Sequence, residues 1–535
     1  MLFLSFAAMS SRAFLFALLG LILVAIAGSG LDVMEVDAAQ YASMSRDMLA
    51  SDDWLQLHHR GNDYLDKPPL LFWLSALSFK LFGVHNWSYK LPSILFAFLG
   101  LFATCRFAAL HYSKELARTA AIMFGASAAF LVMTNDVRCD TILTGSVITT
   151  IWLGSAWMEQ RRWWQLIGCA VAMACGMLAK GPMGVMAPLI ALGGEVVFKK
   201  RWSVLRDPRL YVLPVLVGAL LIPMCIGLYE QHGMHGLRFY FWEQSFGRIT
   251  GENRWKDDSS YFFFTHEVLW QLLPWTLFVL LGLWRSVVAL VKRQALNEYA
   301  SIVGTLLVFV ALSLSHFKLP HYLYVIIPMF AVLGAVAWHG LERAWLRITQ
   351  WVLVLILCAV VLLLGFCFSQ GIVPWFIGAG LLVAAVVFLS RSGTARERLL
   401  AVTIASWIVA AMIINVHFYP FLLGYQANAH AGKWATQQGL RADQFYGMQV
   451  AGTALDFYAG HPVRWLSDAG EARSVVAPGV TIYTDEGRYR ELLDAGLAPR
   501  SVITLPNYEV QLLGLDFTLP ASRRHVVKQR YLLTY

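Results

Sequence analysis

The sequence predicts a polytopic α-helical membrane protein that ends in a small α/β unit. Three observations carry this reading. Asp, Glu, Lys and Arg make up only 14% of the 535 residues and hydrophobic residues 58%, whereas soluble domains carry about 25% charge. Apolar segments of about 20 residues, the length that crosses a bilayer, recur along the first four-fifths of the chain. From about residue 421 the composition turns soluble, and short strand-like and helix-like stretches alternate.

In chain order the expected spans are 13–30, 91–110, 117–134, 141–158, 163–180, 182–198, 210–229, 264–284, 299–316, 321–340, 349–369, 372–390 and 399–420. Alternate connections carry the basic residues: SKELAR (113–118), EQRRWW (159–164), KKRWSVLRDPR (199–209), 285–293, LERAWLR (341–347) and RSGTARER (391–398). The positive-inside rule puts these in the cytoplasm, and about 13 crossings then leave loops 31–90 and 230–263 and the segment 421–535 on the outer side. The net charge of +9 is therefore a topology signal and not a nucleic-acid face. The expected domains are a membrane domain, 1–420, and an extracytoplasmic α/β domain, 421–535.

The first segment has two readings. Arg12, an apolar core and AIAG at 25–28 suit a cleaved signal peptide as well as a retained helix; either leaves residues 34–43 outside. The seven cysteines lie in or beside apolar spans and form neither a disulfide framework nor a zinc spacing.

In the first outer loop, DAAQYASMSRDML places Tyr41, Met44 and Met48 at helical spacing, the pattern of an amphipathic helix on the membrane surface. Asp37, with Gln40 three positions on, also reads as a capping box. Glu35 has no such helix-start role. Pro68 and Pro69 open a second short helix that Gly83 ends, with Lys67 at the membrane surface. In the outer domain AGKWATQQGL and GRYRELLDAGL read as helices, and DQFYGMQV, VRWL and GVTIYT as strands.

The candidate chemistry lies at the outer ends of the spans. Asp37 is either a helix start or a catalytic acid. Lys67 is either a snorkelling lysine beside Asp66 or a cation for phosphate. In NDVRCDTILTG, Asp140 either caps a helix or acts in a site, and Arg138 can pair with Asp136 or Asp140. Lys180 in LAKGP, Arg248 in SFGRITGENRW and Lys318 with His316, His321 and Tyr322 in SHFKLPHYLY put cations where topology does not ask for them. An anion at that interface accounts for them together.

These pieces, in this order, resemble the dolichyl-phosphate-mannose protein mannosyltransferase superfamily, and more closely its bacterial aminoarabinose lipid A transferases. Asp37-Ala38-Ala39-Gln40-Tyr41 stands where that superfamily has its acidic motif. Tyr64, Lys67, Pro68 and Pro69 match Y-x-x-K-P-P, and Arg138 and Asp140 match R-x-D. Lys180-Gly181-Pro182 matches K-G-P; Lys318, Pro320 and Tyr322 match K-x-P-x-Y; LDFYAGHPV (455–463) is similar to an outer-domain motif of the bacterial branch. The second acid of the family's acidic pair is Ala38 here, and the basic residue before the tyrosine is Gln40.

The resemblance implies a GT-C-type fold in the bacterial inner membrane and sugar transfer from a polyprenyl-phosphate donor to a lipid A-like or other envelope acceptor. A protein O-mannosyltransferase-like enzyme is the alternative. It implies Asp37 as the carboxylate facing the acceptor, with Asp140 second. Tyr41, Tyr64, Lys67, Arg138, Lys180, Arg248, Lys318 and Tyr322 are then substrate-binding residues. Some relatives bind a divalent metal, for which Asp66 and His266 are the candidate ligands here; two residues do not establish one. A polyprenyl-lipid flippase would need polar residues deep within several spans, and a glycosidase would need two carboxylates without the lipid-phosphate cations.

Overall fold

The computed structural model describes residues 9–244, 247, 259–340, 343–368, 377–378, 380–381, 384, 394–450 and 452–535. The expected span 372–390 therefore lies almost wholly outside the described residues. Among those described, eight helices are long and apolar enough to cross a membrane, or nine if one bent pair counts as a span, and four shorter apolar helices join them.

The bundle opens with α1 (Ser11–Ser29), whose Ser10 side chain caps the Ala13 amide. Lys90, fully buried, donates to the Gly28 and Leu31 carbonyls at 3.0 and 2.9 Å. It thereby adds a side-chain donor to the turn that closes α1, where the Leu31 amide also donates to the Gly28 carbonyl at 3.2 Å.

In the first loop, α2 (Asp37–Ser51) and α3 (Leu70–Phe82) flank the two-residue strands β1 (His58–His59) and β2 (Asn62–Asp63). One expectation fails at α2. The capping box is absent: the N-cap is Val36, without a side-chain cap, and Asp37 is the first helical residue. The polar face expected of an amphipathic helix is in part covered, because Ser43, Ser45 and Arg46 are buried with the apolar face. Its polar side is covered by the carboxy-terminal segment, which amphipathic spacing does not reveal.

The sequence from α4 (Asn86–His111) to α10 (Val212–Arg238) forms most of the bundle. The expected span 117–134 is two helices, α5 (Lys114–Gly125) and α6 (Ala128–Asn135), bent by 54°. The Ser127 hydroxyl caps the second of them. After α7 (Cys139–Gln160), the hairpin of α8 (Trp163–Lys180) and α9 (Met183–Phe198) turns at Gly181, whose φ of 68° suits glycine. Gly176 and Gly184 let its arms meet backbone to backbone. Likewise 264–284 is not one rod but helices Phe263–Gln271 and Thr276–Val291, separated by Pro274. Helix Ala300–Ser313 and a 3-10 turn, Pro320–Ile326, complete the frame around the site.

The carboxy-terminal segment carries a five-stranded sheet of order β4-β3-β5-β7-β6. Its strands are β3 (Phe445–Met448), β4 (Arg464–Leu466), β5 (Thr481–Asp485), β6 (Ser501–Asn507) and β7 (Lys528–Thr534). The first three pair in parallel, and β7 is antiparallel to both β5 and β6.

A β-carbon at Gly184 would fall inside the Gly176 and Met177 backbone. Gly184→Val is expected to destabilise the hairpin by about 1–3 kcal/mol or more, read as a lower unfolding temperature of the purified protein in detergent.

Candidate functional site

The head of α7 organises the site. Arg138 is its extended N-cap (φ −132°, ψ 149°) and Asp140 lies in its first turn, where the helix dipole favours a carboxylate. Asp140 is 3% exposed, pairs with Lys180, and has His321 Nε2 3.7 Å from its other oxygen. Lys180 Nζ also sits 3.7 Å from the Tyr322 ring centroid. The turn at Gly181 and the Pro320 turn deliver Lys180 and the His321 ring from two distant parts of the chain. A carboxylate this deeply buried requires such partners.

Arg138 forms a second network. It joins the Asp37 carboxylate to Asp136, the latter at 2.8 Å. The Asp37 side chain remains 38% exposed, so Arg138 holds it while leaving it reachable. Of the two pairings expected for Arg138, only that with Asp136 forms; Asp140 belongs to Lys180.

Lys67, Asp140, Lys180, Gln244 and Tyr322 line the polar part of one cleft. Its remaining wall includes Leu143 of α7, Met183, Met186 and Ile190 of α9, and Val308 and Leu312. The cleft holds about 970 Å³ of empty space including its open mouth. Lys67 donates to Asp66 at 2.6 Å, and the Gln244 amide donates to the Asp66 carbonyl. Burial opposes the Lys67 charge, but Asp66 and Tyr322 outweigh it, and the pKa stands above the ordinary lysine value.

Tyr41, Tyr64 and Lys318 are not among the residues that line this cleft. Tyr41 and Tyr64 both meet the Phe72 ring edge-on, with ring centroids 5.6 and 6.2 Å away. Tyr64 lines a smaller neighbouring pocket together with Lys67 and Tyr240. Lys318 is buried, donates to the Ser259 carbonyl at 3.2 Å, and lies 5.6 Å from the Tyr261 ring. Arg248 lies outside the described residues. Asp66 is engaged by Lys67, and exposed His266 by Glu267 at 3.1 Å. Among the described residues no group of three or more His, Cys, Asp or Glu is placed to hold a metal ion.

Glu35 is a fastener and not part of the cleft. Its carboxylate accepts from Asn428 at 3.2 Å and from the Thr453 and Ala454 amides at 3.2 and 2.8 Å, at the start of helix Thr453–Ala459. Burial raises its pKa against these hydrogen bonds. Arg46 donates to the Asp456 and Phe457 carbonyls, Arg60 pairs with Asp456 at 3.4 Å, and Tyr458 accepts from the Val33 amide at 2.8 Å. The DFYAGHP stretch therefore grips the first loop. Gln244 is a site residue that the motifs missed, and His321, noted beside Lys318 and Tyr322 without a role of its own, is placed by the structure at the Asp140 carboxylate.

Residues 66–226 match the sequence profile of the dolichyl-phosphate-mannose-protein mannosyltransferase family. The undecaprenyl phosphate-α-4-amino-4-deoxy-L-arabinose arabinosyl transferase of Edwardsiella ictaluri is 27% identical over 316 residues, 56% of this chain and 53% of that protein. Its counterpart in Aeromonas hydrophila is 26% identical over 380 residues, 66% of each. The chain thus spans about half the length of several curated relatives it matches. The crystal structure of ArnT from Cupriavidus metallidurans bound to undecaprenyl phosphate superposes with a TM-score of 0.73, covering 97% of both chains at 20% identity. The chain has a GT-C fold. The apo form of the same ArnT gives a TM-score of 0.71. In this GT-C fold the cleft opens beside the head of α7, the end of α8 and the Pro320 turn.

Glu35→Ala leaves the Thr453 and Ala454 amides unpaired, a cost of about 1–3 kcal/mol for each buried group. The expected outcome is faster amide exchange in helix Thr453–Ala459 by mass spectrometry, with the transmembrane helices unchanged.

Proposed function

We propose that this chain is an integral-membrane glycosyltransferase that moves a sugar from a polyprenyl-phosphate donor to a lipid A-like or other envelope acceptor. The reaction takes place on the outer face of the bacterial inner membrane. The observation that carries the reading is the cleft: Lys67, Lys180, Asp140 and Tyr322 at its polar part, and an apolar wall from α7, α9 and helix Ala300–Ser313. Such a space suits an anionic headgroup that remains attached to a hydrocarbon chain. The names of the matched relatives and the lipid in the superposed structure point the same way.

In this proposal the protein crosses the membrane 13 times, with loops 31–90 and 230–263 and the domain 421–535 on the outer side. As the sugar–phosphate bond breaks, charge grows on the phosphate. Lys67 and Lys180 stabilise it in a partly desolvated site, assisted by Lys318, Arg248 and Tyr322. Tyr41 and Tyr64 shape the neighbouring wall. Asp37 orients the acceptor hydroxyl and takes its proton as the new glycosidic bond forms. Asp140 has the lesser claim to that task, because Lys180 and His321 already engage it; it holds Lys180 toward the phosphate. Protein O-mannosyl transfer is the alternative acceptor chemistry.

The Asp37→Asn protein, supplied in membranes with the lipid-linked sugar, is expected to lose about 10²–10⁴-fold in turnover at normal expression; near-normal turnover removes Asp37 from the mechanism. Lys67→Met is expected to reduce transfer about 10²-fold or more, measured in the same assay. Comparison of envelope glycolipids and glycoproteins from a deletion strain and its parent by mass spectrometry should show a sugar-sized mass difference on the acceptor.

A further inference from the structure

Four leucines stand exposed within eight residues of the carboxy-terminal segment: Leu512 (66%), Leu513 (42%), Leu515 (80%) and Leu519 (54%). Burial would normally claim side chains of this size, and a cluster of them marks an interaction surface. Its position says with what. Phe517, buried at the centre of the same stretch, packs against Phe368, the last residue of membrane-length helix Ala344–Phe368, and against Tyr425 and Tyr508. Arg523 donates to the Cys367 carbonyl at 2.8 Å, and its guanidinium lies 4.8 Å from the Phe368 and Phe421 rings. The segment is thus bolted to the end of an apolar helix that itself exposes Leu363 and Phe366.

Basic residues adjoin the leucines. Arg524 and Lys528 are exposed, and no carboxylate among the described residues pairs with either. Lys528 and Arg530 line a cleft together with Leu512, Tyr508 and Glu509; Arg530 is held by Asp485 at 3.4 Å. Apolar side chains beside solvent-exposed cations are the composition of a surface that sits at a bilayer interface.

We propose that residues 508–530 dock on anionic bilayer lipid, with Leu512, Leu513, Leu515 and Leu519 in the acyl region and Arg524 and Lys528 on the phosphates. This anchors the carboxy-terminal unit independently of its grip on the first loop. It does not rest on the sugar-transfer reading.

The test uses the full chain in nanodiscs, with photoreactive p-benzoylphenylalanine at position 515, and at position 493 as an exposed control. Lipid adducts at 515 should exceed those at 493 by about tenfold. In phosphatidylglycerol discs, Arg524→Gln with Lys528→Gln should lower the 515 adduct by about fivefold for each charge removed, with little change in phosphatidylcholine discs. Adducts at 515 no higher than the control, or adducts to protein alone, overturn the membrane docking. Adducts unaffected by removing both charges overturn the anionic-lipid assignment.

Discussion

The site depends on how carboxylates are paired with basic side chains at the head of one helix. Arg138 and Asp140 are two residues apart on α7. They tie that helix outward to Asp37 and Asp136 and inward to Lys180 and His321. Neither network would survive burial without its counter-charges. The networks therefore fix the relative positions of α2, the α6–α7 connection, the α8–α9 hairpin and the Pro320 turn. Lys67 joins them at the cleft, held by its own neighbour Asp66.

Much of this was legible because charge is scarce in the chain. Against an apolar background, each of Lys67, Arg138, Asp140 and Lys180 was conspicuous, and topology gave no other reason for cations at that end. The pairings were not legible. Arg138 reaches across about a hundred residues to Asp37 and leaves its near neighbour Asp140 to Lys180. Local spacing also favoured a capping role for Asp37, and the long-range ion pair prevailed over it. Gln244 stayed hidden because its amide carries no charge to stand out against the apolar background.

The fold followed hydropathy except where tertiary packing outweighed it. Apolar runs do not reveal the 54° bend between α5 and α6 or the break at Pro274. Strands β6 and β7 went unread: β6 is partly exposed and contains Pro506, and β7 is half charged at its start. The spacing of α2 indicated an apolar face, but its polar residues are also buried, under a segment some four hundred positions away. Lys90 was assigned to no role, yet it donates to the Gly28 and Leu31 carbonyls where α1 ends.

The fastening of Glu35 to Asn428, Thr453 and Ala454 spans 393 to 419 residues of chain. Contacts so distant in sequence form last. During synthesis the amino-terminal loop emerges early and waits, its polar helix uncovered, while every later span is inserted. Only when the final fifth of the polypeptide has left the ribosome can that loop be locked. Completion of the first loop is thus a late step in biogenesis, and a ribosome that stalls early leaves a membrane-inserted protein with that loop unfastened.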